Sequence, residues 1–241
     1  MRARFLYRAW KARYRDQRQE IRAVLSALGP GAIAVDVGAN KGAYLYWMRR
    51  AVGETGRVFA FEPQATLAAY LRALAGRMRW PNVEVRGCAL SDSTGTRTLH
   101  VPGKSDSPGA SLEEAILTIS VCRDEVCAVD TLDRQLDGAG RVAFVKIDVE
   151  GHELSVFRGA ERALAQDRPT LLFECEARHL THHAPRDVFA FLEGRGYSGS
   201  FFSPQGLLPV GEFDPAVHQR RFPGRFWEAP DYCGNFLFRP L

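Results

Sequence analysis

Three short polar clusters, each following an apolar run, constrain this chain more than any other feature. They are Val35-Asp-Val-Gly-Ala-Asn-Lys-Gly42, Phe61-Glu62-Pro63 and Val145-Lys-Ile-Asp-Val-Glu-Gly-His-Glu153. The apolar runs read as buried strands, and segments with helical periodicity lie between them. Such alternation implies an α/β fold with a doubly wound, mostly parallel sheet. Ligands of such sheets gather at the carboxyl ends of the strands, where all three clusters fall.

The pattern predicts strands at 32–37, 57–61, 83–90, 96–101, 121–129, 142–147 and 170–173. It predicts helices at 42–52, 66–78, 131–136, 153–165 and 187–194, the third opened by a Thr or Asp cap. A late antiparallel element is expected from a hairpin that begins at 197–202 and is completed by 235–238. Residues 102–120, rich in Ser, Gly and Pro, read as a flexible insertion and a candidate lid. Residues 204–232 read as a surface excursion. Ahead of the alternation, 3–28 reads as one helix, with Phe5, Leu6, Trp10, Tyr14, Ile21 and Leu25 on a stripe and Gly29-Pro30-Gly31 as its stop. The expected division is a basic amphipathic helix over 1–30 and one α/β domain over 31–241.

Composition excludes several classes. With 46% hydrophobic and 25% charged residues the 241-residue chain can build a full core, which argues against wholesale disorder. No apolar run approaches the roughly 18 residues of a membrane span, and no signal-peptide pattern opens the chain, so a cytosolic location is expected. The five cysteines lack Cys-x-x-Cys spacing, which argues against a disulfide framework or a structural zinc site. Residues 1–22 carry a basic surplus of six, whereas the remainder sums to about −2. That basic helix fits a domain edge, a second subunit or an anionic membrane surface. RNA binding is a further alternative, disfavoured by the acidic remainder.

Each cluster carries chemistry. Gly38 and Gly42 sit at a strand-to-helix turn, where glycine lets a ligand approach backbone and helix N–H groups are free. Asn40 and Ala43 stand where a dinucleotide fingerprint needs glycine, which disfavours a nicotinamide cofactor. Asp36 suits a ligand with a cationic amino-acid end, such as S-adenosylmethionine. A structural turn or another nucleotide is the alternative. Glu62, 20 residues beyond Gly42, stands where an acid hydrogen-bonds ribose hydroxyls. Leu90-Ser91-Asp92 suits an adenine ring, or a plain turn. Lys146, Asp148, Glu150, His152 and Glu153 crowd the end of another strand, more densely than helix capping requires. Glu174 and Glu176 end the next strand, and His179, His182 and His183 follow.

Together, Val35–Gly42, Phe61–Pro63, Ala89–Asp92, Thr131–Asp133, Lys146–Glu153 and Asn235–Phe238 resemble the FkbM family of S-adenosylmethionine-dependent methyltransferases. The resemblance runs from about 33 to 238 and implies a class I, Rossmann-like methyltransferase fold. It also implies O-methylation of a sugar, polyketide or similar metabolite, with Asp36, Gly38, Asn40, Gly42 and Glu62 on the cofactor and Asp148 and Glu150 beside the reaction. The full cofactor set expected is Asp36, Gly38, Ala39, Asn40, Gly42, Tyr44, Glu62, Pro63, Leu90, Ser91 and Asp148. Candidates for the base that takes the acceptor's proton are Asp148, Glu150, His152, Glu174 and His179. Magnesium held by Asp148 and Glu174 is a weaker expectation. His179 and His182 have metal spacing but lack a firm third ligand, so no metal residue is assigned. An RNA methyltransferase and a non-catalytic nucleotide-binding module are the rival readings. A small-molecule or glycan acceptor is the expected partner, with peripheral membrane contact through 3–28 and a homodimer left open.

Overall fold

A computed structural model describes residues 2–241 of the chain. Its strands are β1 (Ile33–Val37), β2 (Arg57–Phe61), β3 (Val83–Arg86), β4 (Ala89–Leu90), β5 (Gly95–Pro102), β6 (Cys122–Asp130), β7 (Val142–Ile147), β8 (Thr170–Glu174), β9 (Tyr197–Ser203), β10 (Gly206–Pro209) and β11 (Asn235–Pro240). The helices are α1 (Arg2–Lys11), α2 (Arg18–Ala27), α3 (Ala43–Val52), α4 (Ala65–Met78), α5 (Leu132–Gln135), α6 (Glu153–Arg158), α7 (Pro185–Glu193) and α8 (Pro215–His218). Eight strands form the main sheet in the order β10-β9-β11-β8-β7-β1-β2-β3. β1 pairs in parallel with both β2 and β7, so the strand order reverses there and opens a crevice at the strand ends. This is the doubly wound, mostly parallel α/β sheet that the sequence implies.

The strands of the sheet centre are buried on both faces, as their continuous apolar runs require. One face packs Val35, Val145 and Phe173 against α6 and α7. The other packs Ala34, Val58 and Phe144 against the first four helices. Among the described residues no helix is long and apolar enough to cross a membrane.

Three expectations need correction. The segment 3–28 is two helices, joined by a π turn at Ala12–Asp16 and broken at Gln17 (φ −135°, ψ 47°). At about 100° per residue a straight helix would set Ile21 half a turn from Ala12. The break lets Phe5, Ala9 and Ala12 share one buried surface with Ile21 and Val24. Both helices therefore belong to the core, and Trp47 Nε1 donates to the Ala9 carbonyl at 2.8 Å. Tyr7, Trp10 and Tyr14 remain exposed.

The strand expected over 83–90 ends at Arg86. Ala89–Leu90 joins a second sheet of order β4-β6-β5, so one apolar run serves two sheets. The helix expected over 153–165 stops at Arg158, where Gly159 packs against the Ser91 carbonyl, and a π turn at Ala163–Asp167 follows. The expected antiparallel pairing of 197–202 with 235–238 is present between β9 and β11, which lies between β8 and β9, and β10 adds a tight hairpin on the far side of β9.

Candidate active site

A cavity of about 420 Å³ lies at the carboxyl ends of β1, β2 and β7. Gly38, Asn40, Glu62, Pro63, Leu90, Asp148, Glu150, His152 and Glu174 all line it. The turn after β1 is built by left-handed residues: Gly38 at φ 72°, Asn40 at φ 45° and Gly42 at φ 78°. Gly38 is irreplaceable by geometry, since a Cβ there would lie 1.9 Å from the Asp148 carbonyl oxygen. Glycine here lets the turn after β1 touch the turn after β7.

Glu62 is buried beneath this turn and holds it from both sides. Its Oε2 accepts Asn40 N–H at 2.8 Å and its Oε1 accepts Gln64 N–H at 3.0 Å. Burial outweighs these bonds and pushes the carboxyl up to about 7. Besides its polar residues, the cavity that Glu62 lines presents apolar Val37, Phe61, Leu90 and Leu99. A diol on Glu62 with a flat ring between the apolar side chains matches that lining.

Asp36 is only 1% exposed and stands behind the cavity wall. Neither carboxylate oxygen has a hydrogen-bond partner among the described residues, although Lys146 Nζ approaches within 3.7 Å. Lys146 bonds Asp148 Oδ2 at 3.1 Å and lies 5.0 Å from the ring centre of Tyr44. Burial opposes the ammonium, but Asp148 and Asp36 outweigh it and hold its pKa above the usual value. Tyr44 thus serves under the site, walled in with Lys146. Ala39 and Gly42 also stay off the cavity surface: Ala39 N–H bonds the Phe61 carbonyl, and a Cβ on Gly42 would press on Leu71 and Phe5.

The stretch after β7 does not remain extended. Glu150 adopts φ 54° and turns its carboxylate to His179 Nδ1 at 2.8 Å, away from Lys146 and Asp148. His152 has both ring nitrogens engaged, Nδ1 with Glu113 at 2.5 Å and Nε2 with Ser91 Oγ at 2.9 Å. Ser91 is therefore a support for His152, itself fully buried. Glu113 belongs to the 102–120 segment, which is pinned over the cavity rather than loose. Ser107 and Gln64 exchange two hydrogen bonds, and Ser111 Oγ donates to the Glu150 carbonyl at 2.7 Å.

Glu174 and Trp227 line both this cavity and a second, larger one of about 1100 Å³. The second cleft runs between α2 and the β9–β10 turn and presents Gln19, Glu176, Tyr232 and Asn235. Burial and then Asp148, Glu176 and Glu150 hold the Glu174 carboxyl well above its usual range. His179 opens onto a third cavity with Arg178 and Trp227. Asp148 and Glu174, expected to share magnesium, belong to no convergent ligand group. Among the described residues the group of three that converges is Glu150, Glu176 and His179, without His182. The sequence reading passed over Glu113, Gln64, Arg178 and Trp227. Glu113 and Trp227 lie far from any strand end of the main sheet, whereas Gln64 and Arg178 follow the ends of β2 and β8 by only a few residues, a signal that could have found them.

A family model described as Methyltransferase FkbM domain matches residues 36–198. No curated protein matches significantly. Among solved structures, the methyltransferase FkbM from Methylobacillus flagellatus KT superposes with a TM-score of 0.54 at 17% identity, covering 90% of this chain. The chain spans 50% of that protein's length. A SAM-dependent methyltransferase from Aquifex aeolicus superposes with a TM-score of 0.50 at 16% identity, over 96% of this chain and 93% of that one. At these identities the likeness bears on fold.

Proposed function

Since the chain belongs to the FkbM methyltransferase family, we propose that it transfers the methyl group of S-adenosylmethionine to a hydroxyl of a sugar or related polyol. The observation that carries this reading is the pair of cavities meeting at Glu174, one shaped for a nucleoside and one wide and polar. In the first, Glu62 holds the ribose hydroxyls, and Pro63, Leu90 and Leu99 enclose the adenine. Gly38 and Asn40 give the methionine end close access to backbone, above the buried charges of Asp36 and Lys146.

S-adenosylmethionine supplies a methyl on a sulfonium, so the protein's share is alignment and proton removal. Trp227 and Tyr232 offer ring faces for a sugar, and Gln19, Asn235 and Glu176 offer hydrogen bonds to its hydroxyls. Glu174 is the base this geometry favours. It borders both cavities, and burial raises its pKa, which makes its carboxylate a stronger base. His152 has no free ring nitrogen for that role and instead ties the 102–120 lid to Ser91. The exposed Tyr7, Trp10 and Tyr14 among arginines support peripheral contact with an anionic membrane.

Methyl-labelled S-adenosylmethionine offered with a panel of glycans and polyols tests the assignment. Label should reach a hydroxyl, and Glu174→Gln should lower kcat by about a hundredfold with cofactor affinity unchanged. Label appearing on RNA instead would reject the acceptor class.

A further inference from the structure

We propose that Glu150, Glu176 and His179 bind one divalent transition-metal ion where the cavities meet. Their ligand atoms all lie within 4.8 Å of one another. His179 Nδ1 stands 2.8 Å from Glu150 Oε2 and 3.6 Å from Glu176 Oε2. Glu176 and His179 are 3% and 4% exposed. The arrangement is set by backbone. Gly151, at φ 103°, lets the chain after β7 press against residue 179, where a Cβ would meet the His179 carbonyl oxygen at 2.5 Å. Glu150 sits in the left-handed region beside it.

Electrostatics separates this group from an ordinary acidic surface cluster. Asp148, Glu150, Glu174 and Glu176 crowd the ends of β7 and β8, Glu176 buried and the other three partly buried, with Lys146 beside Asp148 and Arg178 beside Glu176. Glu174 has no hydrogen-bond or ion-pair partner among the described residues. A buried excess of negative charge is costly unless a proton or a cation answers it. Two carboxylates and one imidazole suit Mn²⁺, Fe²⁺ or Zn²⁺ better than magnesium or calcium, which favour all-oxygen shells. Three protein ligands leave coordination positions open to water or an acceptor oxygen.

The site's location gives such an ion a task. Glu150 lines the first cavity and Glu176 the second, so an ion between them borders both. Arg178 now reaches Glu176 Oε2 at 2.5 Å while lying 4.7 Å from the Trp227 ring centre. Its guanidinium is the cation that competes for the site, and swinging further onto Trp227 would free the carboxylate.

The test is titration of Mn²⁺ into the metal-free full chain, followed by the electron paramagnetic resonance of the free ion. One ion should bind per chain. Glu176→Gln and His179→Gln should each weaken uptake by about tenfold or more, and Arg178→Gln should strengthen it. Glu228→Gln, an exposed acid on the rim of the wide cleft, should leave it unchanged. Glu150→Gln, near in shape to the native residue, gives an independent variant should His179→Gln fail to fold. An undiminished free-ion signal with wild-type protein would overturn the proposal. Equal uptake by wild type and the folded variants would overturn it too. S-adenosylmethionine titrated into the same samples keeps the two readings apart: its failure to bind would reject the methyltransferase site and leave the metal result standing.

Discussion

Glu62 has two tasks, bracing the turn after β1 through Asn40 and Gln64 and lining the cavity. With its carboxyl pushed up to about 7, only the ionised form above that pH would accept both hydroxyls of the proposed cofactor's ribose. Affinity for S-adenosylmethionine should therefore fall by about tenfold from pH 8 to pH 6, and Glu62→Gln should bind weakly with little pH dependence. Calorimetry at the two pH values checks this. Glu153 is the complementary case: fully buried, with its Oε2 unpartnered, it is pushed up to about 8. The folded state then holds that proton more tightly than the unfolded state does. Its contribution is complete below the usual carboxylate range and is lost as pH rises through about 8. Thermal melts should show stability falling across that window by up to ~1.4 kcal/mol per pH unit, and Glu153→Gln should flatten the slope. Glu62 was legible in the sequence because a strand end and a fixed spacing announce it. Glu113 was not, because its meaning arises only when the 102–120 segment folds onto His152.

At the scale of elements, burial decided what could be read. β1, β2 and β7 are apolar nearly throughout and bounded by glycine or charge, and their limits follow from the sequence almost residue for residue. The split of 83–90 into β3 and β4 leaves no such mark, because the pattern runs on while the chain changes sheets. β10 is half exposed and short, so its pairing with β9 shows only in three dimensions. Helices α1 and α2 read as one basic helix laid on a domain edge, a second subunit or a membrane surface, and their small and aromatic faces complete the core of this chain. Phe5, at 0% exposure, makes edge contacts with Tyr46 and Trp80. Phe5→Ala should cost about 3–5 kcal/mol in denaturant unfolding. A change within a few tenths of a kcal/mol would mean that α1 docks only loosely.

Across the whole molecule, the sheet order brings together residues as far apart as Gln19, Glu62, Glu174 and Trp227, and no local pattern encodes that meeting. The end of α1, the π turn and the start of α2 border the wide cleft, where Lys11, Arg15 and Arg18 line the rim. Vesicles of phosphatidylcholine mixed with phosphatidylglycerol should retain the protein in sedimentation, with retention lost in high salt. Trp10→Ala combined with Tyr14→Ala should weaken it. Retention on pure phosphatidylcholine, or none on either, would remove the membrane from the account. The central claim, a nucleoside site closed by Glu62, is tested most directly by calorimetric titration of S-adenosylmethionine into wild type and Glu62→Ala. The account predicts micromolar binding by the wild type and its loss in the variant, with a nicotinamide dinucleotide control silent. Absence of binding by the wild type, or equal binding by both proteins, would contradict it.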